Sequence, residues 1–599
     1  MTLIQNDFES NEIIELIHHN VNLKIINEIL RKKTGIINFF SKREDIINFQ
    51  KLLNVNFGNE ENTGDLGDFQ TPTSLTDKIC NFLVNAGYNP TIILEPTVGK
   101  GNFIFSALKF FPKIEYIYAI DIQAYYEWVF KLNCFNFLKG HPNTVKIEFH
   151  RDNIFSHQFS QDFNKALEKE NKDLLILGNP PWITNTQLSI LDSTNLPQKS
   201  NIKKVSGIEA ITGKSNFDIA ESIILQLLNN FSHITGKLAM ILKTSVIRNI
   251  IRDLPKFSLN LANMQEIQID AKKEFDINAS AALFIADFGE RHEKNCIIKN
   301  LDTSTSVQKQ FGYYENFFVS DIDSYKNLRY LEGKSPFTWR QGIKHDASSI
   351  MILKRVLGNL YINNQNEKIE LEDNLIYPLV RGSQLQKDLV MQNTPNYIII
   401  PQKKVGEKTN YIQKMYPKLW GYLLSHQTIF DRRKSSIYKN KPRFSIFGVG
   451  EYSFKPFKIG ISGFYKKLNF CLILPINEKP VMLDDTSYFL SFNELYQAFF
   501  VWVILNKPEI REYLNSIAFL NDKRPFTKDI LMRINFKRFL NKLTYEDIID
   551  FYKNNLKNYF DFEPLPELFN QFKDIMVNLS KNQKYQTNLS SIFKSLNSI

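Results

Sequence analysis

The residues Asn179 to Trp182 combine groups that can bind a planar amine. They follow the apolar run Leu174 to Leu177, which predicts a buried strand, and their two prolines predict a turn. Proline has no backbone N–H, so the carbonyls around Asn179 and Pro180 keep acceptors that no local donor occupies. With the Asn179 side-chain oxygen and the Trp182 ring, they suit a planar group that carries an exocyclic NH2. A tight turn after a core strand would contain the same residues, so the motif alone leaves both interpretations open.

A glycine-rich turn follows an earlier predicted strand, Thr91 to Glu95. Gly99 and Gly101 allow a ligand to approach the backbone closely, and the helix that starts next offers free N–H groups. The following predicted strand ends at Asp121, 20 residues after Gly101. A carboxylate at this spacing binds ribose hydroxyls in nucleotide-binding βαβ units. The turn lacks the third glycine of a dinucleotide site, so it favours a nucleoside-type cofactor.

A third predicted strand, Val145 to Arg151, leads to Asp152 and Asn153. The acid can accept a hydrogen bond from an adenine amino group, or it can cap a following helix, and both interpretations stay open. The carboxyl ends of parallel strands meet at one edge of a sheet, where such folds bind ligands. We therefore predict an α/β fold with a Rossmann-like, mostly parallel sheet and one ligand-binding edge. The strand ends along that edge are Gly101, Asp121, Asp152 and Asn179.

Composition narrows the class of protein. The chain has 599 residues, of which 43% are apolar and 23% charged, as is typical of a soluble globular protein with two to four domains. No apolar run reaches the roughly 18 residues that a membrane helix needs, and the first residues lack the basic and apolar regions of a secretion signal. Widely separated cysteines without metal-ligand spacing predict a reducing, cytoplasmic location and no metal site. The cysteines are Cys80, Cys134, Cys296 and Cys471.

Charge is distributed unevenly along the chain, whose formal net charge is +11. Residues 321–599 contain 41 basic and 27 acidic residues, whereas residues 1–320 contain 33 and 36. Within residues 401–470 the counts are 15 and 3, and aromatic residues are interleaved with the basic ones. A solvated basic face is one interpretation, but so lopsided a block favours binding to a polyanion.

In this order, the motifs resemble those of S-adenosylmethionine-dependent amino-group DNA methyltransferases with an Asn-Pro-Pro-aromatic motif. Their arrangement is most similar to that of the gamma-type adenine-N6 enzymes of restriction–modification systems. The resemblance covers roughly residues 64–310 motif by motif and residues 330–480 more loosely. It implies a Rossmann-like catalytic domain over residues 61–315 and a C-terminal α+β DNA-recognition domain over residues 316–599 with a helical C-terminal part. Apolar spacing predicts a helical segment over residues 1–60, which should pack against the next part of the chain.

The resemblance also implies roles for individual residues. Thr71 and the backbone at 97–101 would hold the methionine part of S-adenosylmethionine, Asp121 its ribose, and Asp152 with Asn153 its adenine. Phe275 would stack on a flipped base, although a core phenylalanine is the alternative. The implied cofactor contacts are Thr71, Glu95, Thr97, Gly99, Gly101, Asp121, Ile122, Asp152, Asn153 and Asn179, and the implied catalytic residues are Asn179, Pro180, Pro181, Trp182 and Phe275.

Three further segments extend this interpretation. Thr71-Pro72 precedes a predicted helix and indicates either a helix cap or a ligand-facing loop. The segment Ser215 to Glu221 resembles the motif whose helix backs the cofactor pocket. Lys243 ends the fifth predicted strand and stands where many relatives have proline.

DNA contacts are predicted in two places. The polar segment Gln187 to Ser215 is a surface loop that could also close on the DNA backbone as a flap. The basic run Asp431 to Arg443 can neutralise phosphates and reach guanine edges. The predicted DNA-binding residues are Lys203, Lys204, Arg432, Arg433, Lys434, Arg443, Lys455 and Lys458. The predicted partners are double-stranded DNA and a cognate restriction endonuclease or defence-system subunit.

Two other classes of function remain open. The same chemistry would methylate another planar amino or amide group, such as cytosine N4, an RNA base or a protein glutamine, although those enzymes usually lack a large basic C-terminal module. A catalytically inactive DNA-recognition subunit is the second alternative, and the intact Gly99, Gly101, Asp121 and Asn179 argue against it. The preference for adenine over cytosine rests on the resemblance alone.

Overall fold

The computed structural model divides into two compact units, Met1–Phe318 and Val319–Ile599. It describes residues 15, 22–54, 69–138, 145–170, 172–183, 218–257, 259–289, 291–301, 309–555 and 562–578. The predicted flap over Gln187 to Ser215, with Lys203 and Lys204, lies outside the described residues.

The first unit alternates strands and helices. Its helices are α1 (Leu23–Thr34), α2 (Arg43–Asn54), α3 (Thr73–Asn85), α4 (Asn102–Phe110), α5 (Ala124–Leu138), α6 (Gln161–Leu167), α7 (Ile219–Asn230), α8 (Thr244–Asp253) and α9 (Ala271–Phe275). Its strands are β1 (Ile92–Glu95), β2 (Tyr116–Asp121), β3 (Lys146–Arg151), β4 (Leu174–Gly178), β5 (Gly236–Lys243), β6 (Leu261–Ile269), β7 (Ala281–Phe288), β8 (Asn295–Asn300), β9 (Lys309–Tyr314) and β10 (Phe317–Val319).

These strands form one sheet in the order β10-β9-β8-β6-β7-β5-β4-β1-β2-β3. The strands from β3 to β5 are parallel, and β7 runs antiparallel between β5 and β6. Every residue of β1, β2 and β4 is buried, as expected for parallel strands that are covered on both faces. The chain reverses its direction across the sheet between β1 and β4, which creates a crevice at their carboxyl ends. The predicted α/β class with a mostly parallel sheet is confirmed.

The helices α1 and α2, the first two that the structure describes from end to end, belong to the core of this unit. α1 begins after Asn22, whose side chain accepts a hydrogen bond from the Lys24 N–H, and it ends at Gly35 with φ +72°. A parallel bridge joins Ile36 to Ile147 at the start of β3. The rings of Phe40 and Phe49 pack against Trp128 of α5. This segment therefore supports the outer, β3 side of the sheet.

The second unit is α+β, with two sheets whose orders are β11-β21-β18-β19-β16 and β14-β13-β12-β17-β15-β20. Its strands are β11 (Arg340–Gln341), β12 (Ile352–Leu357), β13 (Leu360–Asn363), β14 (Lys368–Glu370), β15 (Ile376–Val380), β16 (Val390–Met391), β17 (Asn396–Ile399), β18 (Phe457–Ser462), β19 (Cys471–Ile473), β20 (Met482–Leu483) and β21 (Ser487–Phe492). Its helices are α10 (Ile322–Leu328), α11 (Ser348–Met351), α12 (Gly382–Leu385), α13 (Tyr411–Met415), α14 (Pro417–Ser425), α15 (Gln427–Asp431), α16 (Leu495–Asn506), α17 (Pro508–Ile517), α18 (Lys528–Leu531), α19 (Phe536–Leu540) and α20 (Tyr545–Asn555).

Helix α16 is the centre of packing in the second unit. It is apolar on all sides, and a helix of this kind is normally buried. Nine of its 12 residues are buried, and the Trp502 indole N–H donates to the Phe470 carbonyl at 2.7 Å. Over the described part of the chain, no helix is long and apolar enough to cross a membrane.

Candidate active site

A cavity of about 230 Å³ lies at the carboxyl ends of β1, β2, β3 and β4. It occupies the crevice where the sheet order reverses, which is the usual ligand site of such sheets. Predicted residues from all four strand ends, and from the loop before α3, meet in its wall. Those residues are Thr71, Glu95, Thr97, Gly99, Asp121, Ile122, Asp152, Asn179 and Pro181.

The turn after β1 is held by a carboxylate from β2. The Gly99 N–H donates to Oδ2 of Asp121 at 2.9 Å, and Oδ1 of Asp121 accepts from the Gln123 N–H at 2.9 Å. Gly99 has φ +52°, and a Cβ there would lie 2.6 Å from the side chain of Gln70. Glycine adopts this left-handed conformation with the least strain, and a Cβ would also displace the end of the Gln70 side chain. The bonds orient the Asp121 carboxylate at the cavity wall.

Glu95 places a buried carboxyl group in the same wall. The residue is 2% exposed, and its Oε2 has no hydrogen-bond partner among the described residues. Burial, followed by the charge of Asp121, raises the pKa of Glu95 well above its ordinary value. A buried carboxyl group without a donor is matched by a ligand that carries a cationic or N–H group.

Asp152 belongs to a hydrogen-bonded chain that continues behind the cavity. Its Oδ2 lies 2.8 Å from Nδ1 of His157, and Nε2 of His157 lies 2.8 Å from the hydroxyl of Tyr118. The Ser160 N–H donates to that hydroxyl, so we infer that Tyr118 donates to Nε2 and His157 donates to Asp152. Burial opposes ionisation of Asp152, but the bonds from His157 and from the Asn153 N–H outweigh it and lower its pKa.

The structure shows that Asp152 does not cap the next helix. Ser160, and not Asp152, caps the next helix, α6, by accepting from the Phe163 N–H at 3.1 Å. Asp152 faces the cavity instead. Asn153 stabilises the turn that follows β3, since its side-chain oxygen accepts a hydrogen bond from the Phe155 N–H at 3.0 Å. Asn153 is not part of the cavity wall.

Asn179 is anchored by the loop before α3. Its Nδ2 donates to the Phe69 carbonyl at 3.0 Å and to Oγ1 of Thr71 at 3.2 Å. The Phe69 carbonyl can only accept, so the NH2 of the amide must face it and the Asn179 oxygen must face the other way. That Oδ1 atom is buried and has no hydrogen-bond partner among the described residues. The amide is thus fixed and keeps a free acceptor, in a residue that lines the cavity.

Thr71 accepts a hydrogen bond from the Asn179 amide and does not cap α3. The N-cap of α3 is Pro72, and no side chain caps the helix. The Thr71 carbonyl accepts from Nδ2 of Asn102 at 2.7 Å, which ties the loop to α4. The loop interpretation of the Thr71-Pro72 pair is therefore favoured over the helix cap.

Trp182 is packed among aromatic rings beside the cavity. It is 7% exposed, with the Phe69 ring at 6.0 Å and the Phe275 ring at 5.3 Å in a T-shaped contact. Phe275 is half-buried and ends α9. The other predicted residues outside the cavity wall are Pro180 and Gly101, the latter preceding α4 with φ +87°.

Some residues of the site were not singled out by sequence reasoning. Phe69 and Gln70 lie in the cavity wall, and their position directly before Thr71 was the available signal. Ile219 and Ile223 of α7 form an apolar wall. The resemblance of Ser215 to Glu221 implied that this helix backs the pocket, but the apolar pattern alone did not distinguish the two isoleucines from core residues.

The predicted DNA-binding residues of the second unit fall into two groups. Arg432, Lys434 and Arg443 are all exposed at the surface. Arg433 folds inward: its Nη1 donates to the Ser445 carbonyl at 2.7 Å, and its guanidinium stacks on Tyr438 at 3.7 Å. Arg433 therefore supports the loop that carries its exposed neighbours.

Lys458 is a correction to the predicted DNA surface. Its side chain is fully buried in β18, and its Nζ donates to the carbonyl of the half-buried Lys455 at 2.6 Å. Burial lowers the pKa of Lys458 to about 7. An ammonium group in this position has no access to a phosphate, so Lys458 does not belong to the basic surface.

Comparison with known proteins gives one strong similarity. No family model matches the chain. The type II methyltransferase M.NspV of Nostoc sp. is 40% identical over 473 residues, which cover 79% of this chain and 96% of that protein.

Solved structures resemble the chain only loosely. The type IIL restriction–modification enzyme MmeI in complex with DNA aligns with 94% of this chain and 78% of its own, at 11% identity and a TM-score of 0.46. A nuclease-deletion mutant of the type ISP enzyme LlaGI, in complex with a DNA substrate mimic, aligns with 81% of this chain and 46% of its own, at 12% identity and a TM-score of 0.44.

Proposed function

This chain belongs to the family of type II methyltransferases, the DNA methyltransferases of restriction–modification systems, and from that premise we propose a specific reaction. The protein transfers a methyl group from S-adenosylmethionine to the N6 amino group of adenine in duplex DNA. The buried, unpartnered Oδ1 of Asn179 at the cavity is the observation that carries this proposal. An acceptor in that state needs an N–H donor, and the exocyclic amino group of a base supplies one.

The residues of the cavity fit S-adenosylmethionine, which when bound supplies an electrophilic methyl group. The unpartnered carboxyl of Glu95 pairs with the ammonium of the cofactor, and Asp121 accepts its ribose hydroxyls. Asp152, oriented by His157, accepts from its adenine amino group. Ile219 and Ile223 cover its apolar parts.

Asn179 acts on the target base. The lone pair of the adenine amino nitrogen is delocalised into the ring, which makes it a poor nucleophile. Acceptors at Oδ1 of Asn179 and at the Pro180 carbonyl bind the two amino hydrogens and favour the pyramidal, electron-richer nitrogen. The increase in the rate of methyl transfer comes from dipoles that are already oriented towards the position where positive charge develops. No base is needed before transfer, because the methylated amine is acidic and loses its proton afterwards.

The target base must leave the duplex, since its amino group is shielded inside the stack. Phe275, half-buried against Trp182, stacks on the flipped base in this proposal. Trp182 is too buried to offer a broad face, and it instead supports Phe275 through their T-shaped contact. Arg432, Lys434 and Arg443 at the surface of the second unit contact the DNA backbone.

The experiment that tests the proposal is transfer of labelled methyl from S-adenosylmethionine to mixed-sequence duplex DNA, followed by digestion to nucleosides. Label in N6-methyladenosine is the expected result. Label in N4-methylcytosine would overturn the choice of base and keep the site. Absence of label in DNA, with the cofactor still bound, would overturn DNA as the substrate of the isolated chain.

A further inference from the structure

Lys243, the last residue of β5, reaches the end of the Asn-Pro-Pro-Trp turn. Its Nζ donates to the Trp182 carbonyl at 3.0 Å and to Oδ2 of Asp218 at 2.7 Å. The side chain of Lys243 is 24% exposed and that of Asp218 is 11% exposed. One ammonium group therefore joins β5 to two chain positions that lie 36 residues apart in sequence.

Asp218 is itself fixed by the helix that it caps. Its Oδ1 accepts from the Ala220 N–H at 3.2 Å at the start of α7, and the Ile219 N–H donates to the Ile183 carbonyl at 2.9 Å. Burial raises the pKa of Asp218, and Lys243 opposes that rise. Without the lysine, Oδ2 of the largely buried Asp218 and the Trp182 carbonyl would both lose this donor, which is unfavourable for each.

The backbone of Lys243 explains how a lysine is accommodated here. Its φ is −61° and its ψ is 137°. The φ value is close to the one that a proline ring imposes. Lys243 thus adopts a φ that proline would also allow, and its side chain adds an ammonium group.

The position of this ammonium matters because the turn is stiff. Pro180 and Pro181 each have φ restricted by their rings, so the peptide planes between Asn179 and Trp182 have few ways to adjust independently. One end of the turn is fixed by β4, and Lys243 fixes the other end through the Trp182 carbonyl. A shift at Trp182 is therefore transmitted to the acceptors at Asn179 and Pro180.

We propose that Lys243, paired with Asp218, is a positioning residue for methyl transfer that holds the Asn-Pro-Pro-Trp turn in its reactive geometry. The inference rests on the proposed function of this turn. Lys243 is not in the wall of the cofactor cavity. Its loss should therefore affect the reaction of the target base and leave cofactor binding intact.

The test compares Lys243→Met with Lys243→Arg and with a control at the other end of the same strand. Lys237 of β5 pairs with Asp287 at 2.9 Å, near the start of the strand, so Lys237→Met removes a similar ion pair away from the site. Single-turnover methyl transfer, S-adenosylhomocysteine affinity and hydrogen exchange of the Ile183 and Ile219 amides are measured well below the unfolding temperature. Misplacement of reacting groups by about 1 Å costs roughly 100-fold in rate.

The expected result for Lys243→Met is a rate lowered roughly 10- to 100-fold, faster exchange at Ile219, and unchanged S-adenosylhomocysteine affinity. Lys243→Arg should recover most of the rate, and Lys237→Met should retain all of it. A normal rate in Lys243→Met would overturn the positioning role and leave the proposed function standing. Loss of cofactor affinity in parallel with the loss of rate would also overturn the positioning role, because such a result would indicate a general structural role for Lys243. A wild-type protein that methylates no DNA would overturn both.

Discussion

Asn179 is the residue whose environment bears most directly on the reaction. Phe69 and Thr71 hold its NH2 group, so removing the side chain deletes a fixed acceptor without opening the cofactor wall formed by Asp121 and Glu95. We expect Asn179→Ala to lower the single-turnover rate by about 100-fold or more, as for other groups oriented towards developing charge. S-Adenosylhomocysteine affinity should stay near that of the wild type.

Asn179→Asp is the matched control for this substitution. It keeps an acceptor at the Oδ1 position but places a second oxygen against the Phe69 carbonyl. Its rate should fall between those of the wild type and Asn179→Ala. Near-normal turnover of Asn179→Ala, measured with labelled cofactor, would remove the residue from the mechanism.

The buried carboxyl group of Glu95 should make the free energy of unfolding depend on pH. Its pKa is raised in the folded protein, so between the ordinary carboxyl pKa and the raised one the folded state binds more protons than the unfolded state. The free energy of unfolding of the cofactor-free protein should therefore fall as pH rises through that interval. Glu95→Gln removes this contribution, and its stability should depend less on pH in chemical denaturation.

The same substitution should weaken the binding of S-adenosylmethionine. A glutamine cannot form the charge-assisted bond with the cofactor ammonium, and such bonds contribute about 1.5–3 kcal/mol. Calorimetric titration at neutral pH measures this loss. An unchanged affinity would contradict the role proposed for Glu95, whatever the effect on stability.

At the scale of elements, the site depends on how closely α4 and α5 approach the turn after β1. Gly101 has φ +87°, and a Cβ there would lie 2.6 Å from the Phe130 ring and 2.9 Å from the Phe105 ring. Gly101→Ala should therefore carry both the strain of a left-handed backbone, about 1–2 kcal/mol, and that of overpacking, about 1–3 kcal/mol.

Gly87 offers a matched control for this prediction. Its φ is +85°, and a Cβ there would have nothing within 4 Å. Gly87→Ala should show only the backbone strain, and the difference in unfolding free energy between the two variants isolates the clash. Equal losses in the two variants would mean that the Phe130 and Phe105 rings can move aside at no cost.

At the scale of the whole molecule, the basic charge of the second unit should set the salt dependence of DNA binding. Arg432 and Arg443 lie at the surface, so each can neutralise a phosphate. Each contact contributes about 0.9 to the slope of log affinity against log salt for duplex DNA. Arg432→Glu combined with Arg443→Glu should weaken binding and reduce that slope by roughly two.

Two controls test whether the change in the salt slope depends on the exposure of a charge at this surface and not on charge alone. Lys458→Met removes a buried positive charge from the same block and should leave the slope unchanged. Lys113→Glu reverses an exposed charge before β2, at the sheet edge opposite the cavity, and should also have no effect. Fluorescence anisotropy over a range of salt concentrations measures DNA binding by the double variant and by both controls. An unchanged slope in the double variant would exclude this surface from the DNA interface.

The sequence by itself determined the place of the candidate site. Proline restricts φ and glycine permits positive φ, and both effects are local, so the turns at Asn179 and Gly99 could be predicted without knowledge of the fold. Parallel strands then bring their carboxyl ends to one edge whatever their order, so Asp121 and Asp152 could be predicted beside them. The cavity at that edge contains these residues because both rules act on short stretches of chain.

Only the tertiary structure decided what each side chain meets. The Asn179 amide is oriented by Phe69, which lies 110 residues away in sequence, and the Trp182 carbonyl by Lys243, 61 residues away. A count of charges could not separate the exposed Arg432 from the buried Lys458, since both lie in one basic block. Burial and hydrogen bonding depend on contacts between residues distant in sequence, which neither composition nor spacing contains.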